Sequence, residues 1–212
     1  MRFREAVEPY AEQPLTQQLL LDILADYNRP HDKIDELVKQ KMLLQVKRGL
    51  YLAGPRLKVA SPEPVLVANH LYGPSYVSLD TALSYWGLIP EKVYEVTSVC
   101  TRKSKTYNTK AGRFSYRYMR LPYYSFGIKQ VVLTKRQTVL MASPEKALCD
   151  KIITTSGVLL RSTKQTSELL IEDFRIDKKM LRSLDANAIS KWLKDAPKEN
   201  SLMMLLKTLK SL

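Results

Sequence analysis

Ser143 and Lys146 stand three residues apart in Ala142-Ser143-Pro144-Glu145-Lys146. This is the Ser-x-x-Lys spacing that puts an amine one helical turn after a nucleophilic hydroxyl in penicillin-recognising enzymes. That chemistry also uses Ser-Asp-Asn and Lys-Thr-Gly elements, and the sequence contains neither. A serine directly before Pro-Glu is better explained as a helix N-cap with proline at the first helical position. Glu145 and Asp150 flank the same helix, where helix-terminus and salt-bridge roles account for them. The two histidines, His31 and His70, are isolated, and Cys100 and Cys149 have no neighbours at metal-binding spacing. A zinc site, a disulfide framework and general acid–base chemistry therefore lack obvious players. Gly-x-Gly-x-x-Gly, Walker and His-Glu-x-x-His patterns are absent as well. The chain is expected not to be an enzyme and to need no cofactor.

Charge points elsewhere. The 49 residues Val96–Pro144 contain no Asp or Glu and ten Lys or Arg, with five tyrosines interleaved (Tyr107, Tyr116, Tyr118, Tyr123 and Tyr124). A folded surface ordinarily mixes the two signs because unbalanced charge repels itself. A one-signed stretch implies an anionic partner, either nucleic acid or the acidic face of another protein; the bland alternative is a solvated basic surface. Residues 1–53 balance at eight basic and eight acidic side chains, residues 54–150 carry fourteen against six, and residues 151–212 twelve against seven. The net charge of +13 thus belongs mainly to the middle of the chain.

The 212 residues suit one large domain or two small ones, and 45% hydrophobic content is enough for a real core. Apolar runs such as Leu19–Leu21 and Leu202–Leu206 are far too short to cross a bilayer. The start, Met-Arg-Phe-Arg-Glu, has no apolar signal-peptide region, so a cytoplasmic location is expected.

The elements that must carry these charges follow from periodicity. Phe3, Ala6, Val7 and Tyr10 recur at helical spacing, limited by Pro9. Leu15, Leu19, Leu20, Ile23, Leu24 and Tyr27 form a stronger helical stripe, broken at Asn28-Arg29-Pro30. Asp32 is expected to cap a further helix with Ile34, Leu37 and Val38 facing inward. Met42–Val46 and Leu50–Ala53 around Lys47-Arg48-Gly49 read as a β-hairpin. Helices followed by a hairpin with a basic tip outline a winged helix-turn-helix, in which one helix enters the major groove and the hairpin touches the flanking backbone. The alternative is a small helical unit that packs on the next domain and uses the hairpin as a flap.

Pro-rich punctuation at Gly54-Pro55 and Ser61–Pro64 marks the boundary between a winged-helix-like domain over 1–58 and a second domain over 59–212. In the second, helices are predicted from Pro64 to Leu71 and after Ser78, the latter capped by Ser78 and ended at Gly87. Tyr94–Thr101 is strand-like, Arg102–Gly112 reads as a basic connection, and Arg113–Leu121 alternates, with Phe114, Tyr116 and Tyr118 on one face and Arg113, Ser115 and Arg117 on the other. Val131–Thr134 and Thr138–Ala142 form a further hairpin. The aromatic face reads as core, and the alternative is a platform that stacks single-stranded bases. From Ser143 onward the chain reads as helical, with Trp192 as a core anchor. The expected class is α+β: a winged helix-turn-helix-like domain, then a small, mostly antiparallel sheet with a helical C-terminal part.

Val46-Lys47-Arg48-Gly49-Leu50-Tyr51, Ala68–Leu79 (ANHLYGPSYVSL), Ala82–Glu91 (ALSYWGLIPE) and Ala142–Leu148 (ASPEKAL) occur in this order. Together they resemble the AbiEi family of antitoxins and transcriptional regulators of type IV toxin–antitoxin systems, from about Leu15 to about Asp150. The resemblance implies a winged-helix domain that binds its own promoter DNA as a repressor. It also implies a C-terminal domain that counteracts a nucleotidyltransferase-like toxin, in a phage-defence setting. A complete helix-turn-helix then requires residues 3–12 to contribute. The expected DNA-binding residues are Lys33, Lys39 and Lys41 on or after the recognition helix, Lys47 and Arg48 at the wing tip, and Arg102, Lys103, Lys105, Lys110, Arg113 and Arg117 in the middle domain. The alternative function is a protein-interaction or RNA-binding module whose basic middle domain docks on an acidic partner without operator binding.

Overall fold

A computed structural model describes residues 3–91 and 93–212. The class is α+β, with ten helices, a three-stranded antiparallel sheet and a six-stranded mixed sheet among the described residues.

The N-terminal unit runs α1 (Phe3–Val7), β1 (Leu15–Thr16), α2 (Gln17–Ile23), α3 (Pro30–Lys39), β2 (Leu43–Lys47) and β3 (Leu50–Ala53). Its sheet has the order β1-β3-β2. Val7 of α1 is fully buried in one apolar cluster with Leu20, Leu24, Ile34 and Leu37. Two sequence expectations are corrected. Leu15 does not start the helical stripe but pairs with Tyr51 in β3, leaving Thr16 to cap α2 through its side chain. Asp32 does not cap α3; Pro30 is its first residue and Asp32 lies in the first turn. The helix ends in a left-handed residue, Lys41 (φ 59°). The Lys41 amide donates to Val38 O at 3.1 Å and the Met42 amide to Leu37 O at 2.9 Å, a Schellman ending without the usual glycine.

The period-2 alternation of β3 sends its side chains into two cores. Tyr51 joins the N-terminal cluster, while Leu50, Leu52 and, from β2, Val46 join the larger core of the rest of the chain. The apolar side chains of the hairpin are therefore held between two cores, while Gln45 and, at the tip, Arg48 are exposed.

The second unit contains α4 (Pro64–Leu71), β4 (Ser75–Val77), α5 (Leu79–Tyr85), β5 (Glu95–Cys100), β6 (Lys105–Thr109), β7 (Gly112–Tyr118), β8 (Ile128–Thr134), β9 (Gln137–Ala142) and α6 (Pro144–Thr154). Four more helices follow: α7 (Thr163–Glu168), α8 (Lys178–Arg182), α9 (Ala186–Trp192) and α10 (Glu199–Ser211). The sheet order is β6-β7-β5-β4-β9-β8. β5 with β7 and β4 with β9 are parallel, so the sheet is mixed and larger than the small, mostly antiparallel one expected. The supposed basic connection Arg102–Gly112 holds β6, an edge strand paired antiparallel to β7. Lysine at such an edge discourages strand addition. Where β4 runs out, Asn69 of α4 takes its place: its side-chain amide donates to Leu140 O at 3.2 Å and accepts from Leu140 N at 2.7 Å.

Phe114 and Tyr116 are buried as expected, and the Tyr116 hydroxyl donates to Ala68 O of α4 at 2.7 Å. Tyr118, the third of the alternating aromatics, is 55% exposed and not core. Beneath α6 lies a closed polar cluster. Lys146 and Asp150, both with 0% side-chain exposure, pair at 3.1 Å. Lys146 donates to Tyr123 O at 2.8 Å, with its ammonium 3.2 Å from the centroid of the Tyr123 ring. Tyr76 and Ser78 hydroxyls donate to Asp150 Oδ2 at 2.9 and 2.7 Å. Ser78 thus precedes α5 but makes no side-chain cap there.

Candidate nucleic-acid interface

The hairpin tip reaches the second unit through Lys47. Its ammonium donates to the carbonyl oxygen of Leu71, the last residue of α4. The next residue, Tyr72, is where the middle-domain cations gather. The Arg102 guanidinium lies 5.9 Å and the Lys105 ammonium 6.0 Å from the centroid of the Tyr72 ring, and Lys105 sits 4.6 Å from that of Tyr107. Partial burial, and then the charges of Arg102 and Lys105, hold the Lys47 ammonium below its ordinary range. Arg102 and Lys105 are thus near enough to repel the Lys47 charge, and three cations from two units share one neighbourhood.

The backbone explains why the β5–β6 loop can stand among like charges. Tyr72 donates its hydroxyl to Lys103 O at 3.2 Å, and the Tyr118 amide donates to Ser104 Oγ at 2.9 Å. Below, Tyr72, Tyr107 and Tyr116 pack with centroids 5.2 to 6.0 Å apart in tilted and edge-on pairs. The faces of Tyr72 and Tyr107 attract the overlying cations and offset part of the mutual repulsion. No carboxylate lies within ion-pair distance of Lys47, Arg48, Arg102, Lys103 or Lys105 among the described residues.

The structure thus brings together Lys47, Arg102, Lys103 and Lys105, with Arg48 adjoining at the exposed tip. The other expected residues fall elsewhere. Lys110 is in the β6–β7 turn, about 17 Å along the strand from Lys105 at 3.4 Å per residue. Arg113 is paired with Glu95 at 3.3 Å. Arg117 lies on the sheet face opposite Tyr116. Lys33 is bonded to Glu36 at 2.8 Å and lies against Tyr27. Lys39 and Lys41 are exposed at the end of α3, and neither has an ion pair among the described residues. The exposed side of α3 also carries Asp32, Asp35 and Glu36. Sequence reasoning missed Tyr72, which directly follows α4, and assigned Tyr118 to the core face; the signal for Tyr118 was its place at the end of β7.

The Ser143-x-x-Lys146 arrangement is laid out differently from a nucleophile and its base. Ser143 Oγ accepts from the Lys146 amide at 3.2 Å and donates to Glu145 at 2.8 Å, while Lys146 turns inward to Tyr123 and Asp150. Among the described residues no group of three or more His, Cys, Asp or Glu is placed to hold a metal ion, and no helix is long and apolar enough to cross a membrane. No protein-family model matches this sequence, nor does any curated protein.

Proposed function

We propose that the chain is a DNA-binding transcriptional autoregulator of the antitoxin type, acting in the cytoplasm and counteracting a nucleotidyltransferase-like toxin as its resemblance to the AbiEi family implies. One observation carries the DNA reading: Lys47 of the hairpin, and Arg102 and Lys105 of the second unit, form one cationic surface without compensating carboxylates. Two separate units contribute charge to the same side, which is what a phosphate backbone requires. The element order α1-β1-α2-α3-β2-β3, with β3 central in its sheet, supports reading the first unit as a winged helix-turn-helix. The wing tip would then lie on the backbone flanking the groove.

The test is a gel shift with DNA from upstream of the gene, across a range of salt. Replacing Lys47 and Arg48 together by alanine should weaken binding and lower the salt slope by up to about two units. Unchanged affinity and slope would exclude the wing from the interface.

A second reading has its own observation. The exposed Asp32, Asp35 and Glu36 of α3 oppose entry of that helix into a groove lined by phosphates. With the hairpin held between two cores, this favours the protein-interaction or RNA-binding alternative, in which the basic surface docks on an acidic partner. Co-purification with the neighbouring gene product, in the absence of any gel shift, would make this the better account.

A further inference from the structure

Tyr118 ends β7 and is 55% exposed. Among the described residues its ring has no aromatic or cationic partner, unlike Tyr72, Tyr107 and Tyr116, which are committed to one another. It lines an open hollow of about 670 Å³ together with Tyr72, Thr101, Arg102, Lys103 and Ser104. The loop forming one wall is fastened on both sides, by the Tyr72 hydroxyl at Lys103 O and by Ser104 Oγ at the Tyr118 amide. A wall already ordered loses little freedom when it receives a ligand.

A duplex offers this surface its phosphates but keeps the faces of its bases in the stack. A free aromatic ring beside two unpaired cations suits a different ligand, in which a base face is available next to a phosphate. We propose that the hollow between Tyr72 and Tyr118 binds single-stranded nucleic acid, with one unpaired base stacked on Tyr118 and the adjoining phosphates held by Arg102 and Lys103. This goes beyond promoter binding and shares with it only the cationic surface. A strand whose bases are unstacked, at a melted or looped segment or in RNA, would be held where a closed duplex makes phosphate contacts alone.

The experiment uses the full chain and fluorescence anisotropy with three labelled probes: a ten-nucleotide oligo(dT), a ten-nucleotide oligo(U) and a blunt-ended duplex of two fully paired strands. Wild type should bind at least one single strand. Tyr118→Ala should weaken that binding by about 5- to 150-fold, the range for loss of one base–aromatic stack. Tyr118→Phe should retain it, and duplex affinity should stay within about twofold of wild type in both variants, as expected for a phosphate-only contact. Tighter binding of oligo(U) than oligo(dT) would assign the site to RNA, and the reverse order would assign it to DNA; either supports the site. Tyr118→Leu serves as a second ring-deleted variant should circular dichroism show that the alanine protein is misfolded. Wild type that binds neither single strand, or a folded ring-deleted variant that binds as tightly as wild type, overturns the proposal. Absent duplex binding together with Tyr118-dependent binding of a single strand would remove the promoter reading and leave this site standing.

Discussion

Lys47, at the end of β2, hydrogen-bonds through its ammonium to the carbonyl oxygen of Leu71 at the end of α4. One side chain therefore both ties the hairpin to the second unit and adds charge to the candidate interface. Arg48, next to it, is exposed and has neither a hydrogen bond nor an ion pair among the described residues. The two should separate on mutation. Lys47→Met is expected to cost about 1.5–3 kcal/mol in urea unfolding, the range for a hydrogen bond made by a charged group, and to weaken DNA binding as well. Arg48→Ala should leave stability within about 0.5 kcal/mol of wild type and lower the salt slope by about one unit. Equal stability of the two variants would mean that the Leu71 contact does not fasten the hairpin.

Lys41 offers a similar division. Its φ of 59° puts a β-carbon-bearing residue in the left-handed region at the Schellman ending of α3. Glycine there removes a strain of about 1–2 kcal/mol, and the greater freedom of glycine in the unfolded chain returns about 0.5–1 kcal/mol of it. Lys41→Gly should thus be more stable than wild type by roughly 0.5–1 kcal/mol. If Lys41 meets phosphate as the DNA reading has it, the same variant should lose about one unit of salt slope. A gain in stability with an unaltered slope would take Lys41 out of the interface while leaving its place in the fold explained.

Local chemistry was readable in the sequence, and long-range pairing was not. Ser143 before Pro-Glu is an N-cap because the serine, the proline and the amide of Lys146 lie within one turn. The β8–β9 hairpin follows equally from its own alternating residues and tight turn. Ser78 looked like a cap on the same local grounds, yet its hydroxyl goes to Asp150, on a helix far along the chain. The parallel pairing of Val77 with Met141 is non-local in the same way, and it turned an expected small antiparallel sheet into a mixed one. Lys105–Thr109 hid as a connection because its charge and polarity suit an edge strand as well as a loop. At the candidate interface the sequence supplied the cations but not their grouping. Lys47 lies in a different unit from Arg102 and Lys105, and the contact that joins them is to a backbone carbonyl, which no side-chain pattern announces.

The closed pair of Lys146 and Asp150 is a second place where partner loss should be expensive. Burial pushes the lysine down and the aspartic acid up, and the attraction between them works against both shifts, helped by the hydroxyls of Ser78 and Tyr76 on Asp150. Asp150→Leu leaves a buried ammonium with the Tyr123 carbonyl and the rings of Tyr123 and Tyr76 but no counter-charge, and should cost about 3–5 kcal/mol. Lys146→Met leaves a buried carboxylate and should cost a similar amount. The double variant removes both charges and should be less destabilised than the sum of the two by at least about 2 kcal/mol, although Ser78 and Tyr76 lose their acceptor. Additive losses in a double-mutant cycle would show that the two groups do not stabilise one another.

Cys149 neighbours that pair and gives stability a slope at alkaline pH. Burial, with the Asp150 charge adding to it, pushes the Cys149 thiol up to about 12 from an ordinary 9.0. Between those values the folded chain keeps a proton that the unfolded chain releases. The folded state therefore binds more protons, and stability falls as pH rises. The contribution is fully present below pH 9 and is lost at about 1.4 kcal/mol per pH unit above it. Urea unfolding of wild type and Cys149→Ala between pH 8 and pH 10.5 should show this difference directly. The variant should start less stable, having lost a buried sulfur, and decline less steeply above pH 9. Tyr124, pushed up to about 12 mainly by burial, adds the same sign of slope from its ordinary 10.0 and remains in both proteins, so it cancels from the comparison. Curves that stay parallel up to pH 10.5 would show that the Cys149 thiol ionises as readily in the folded chain as in the unfolded one.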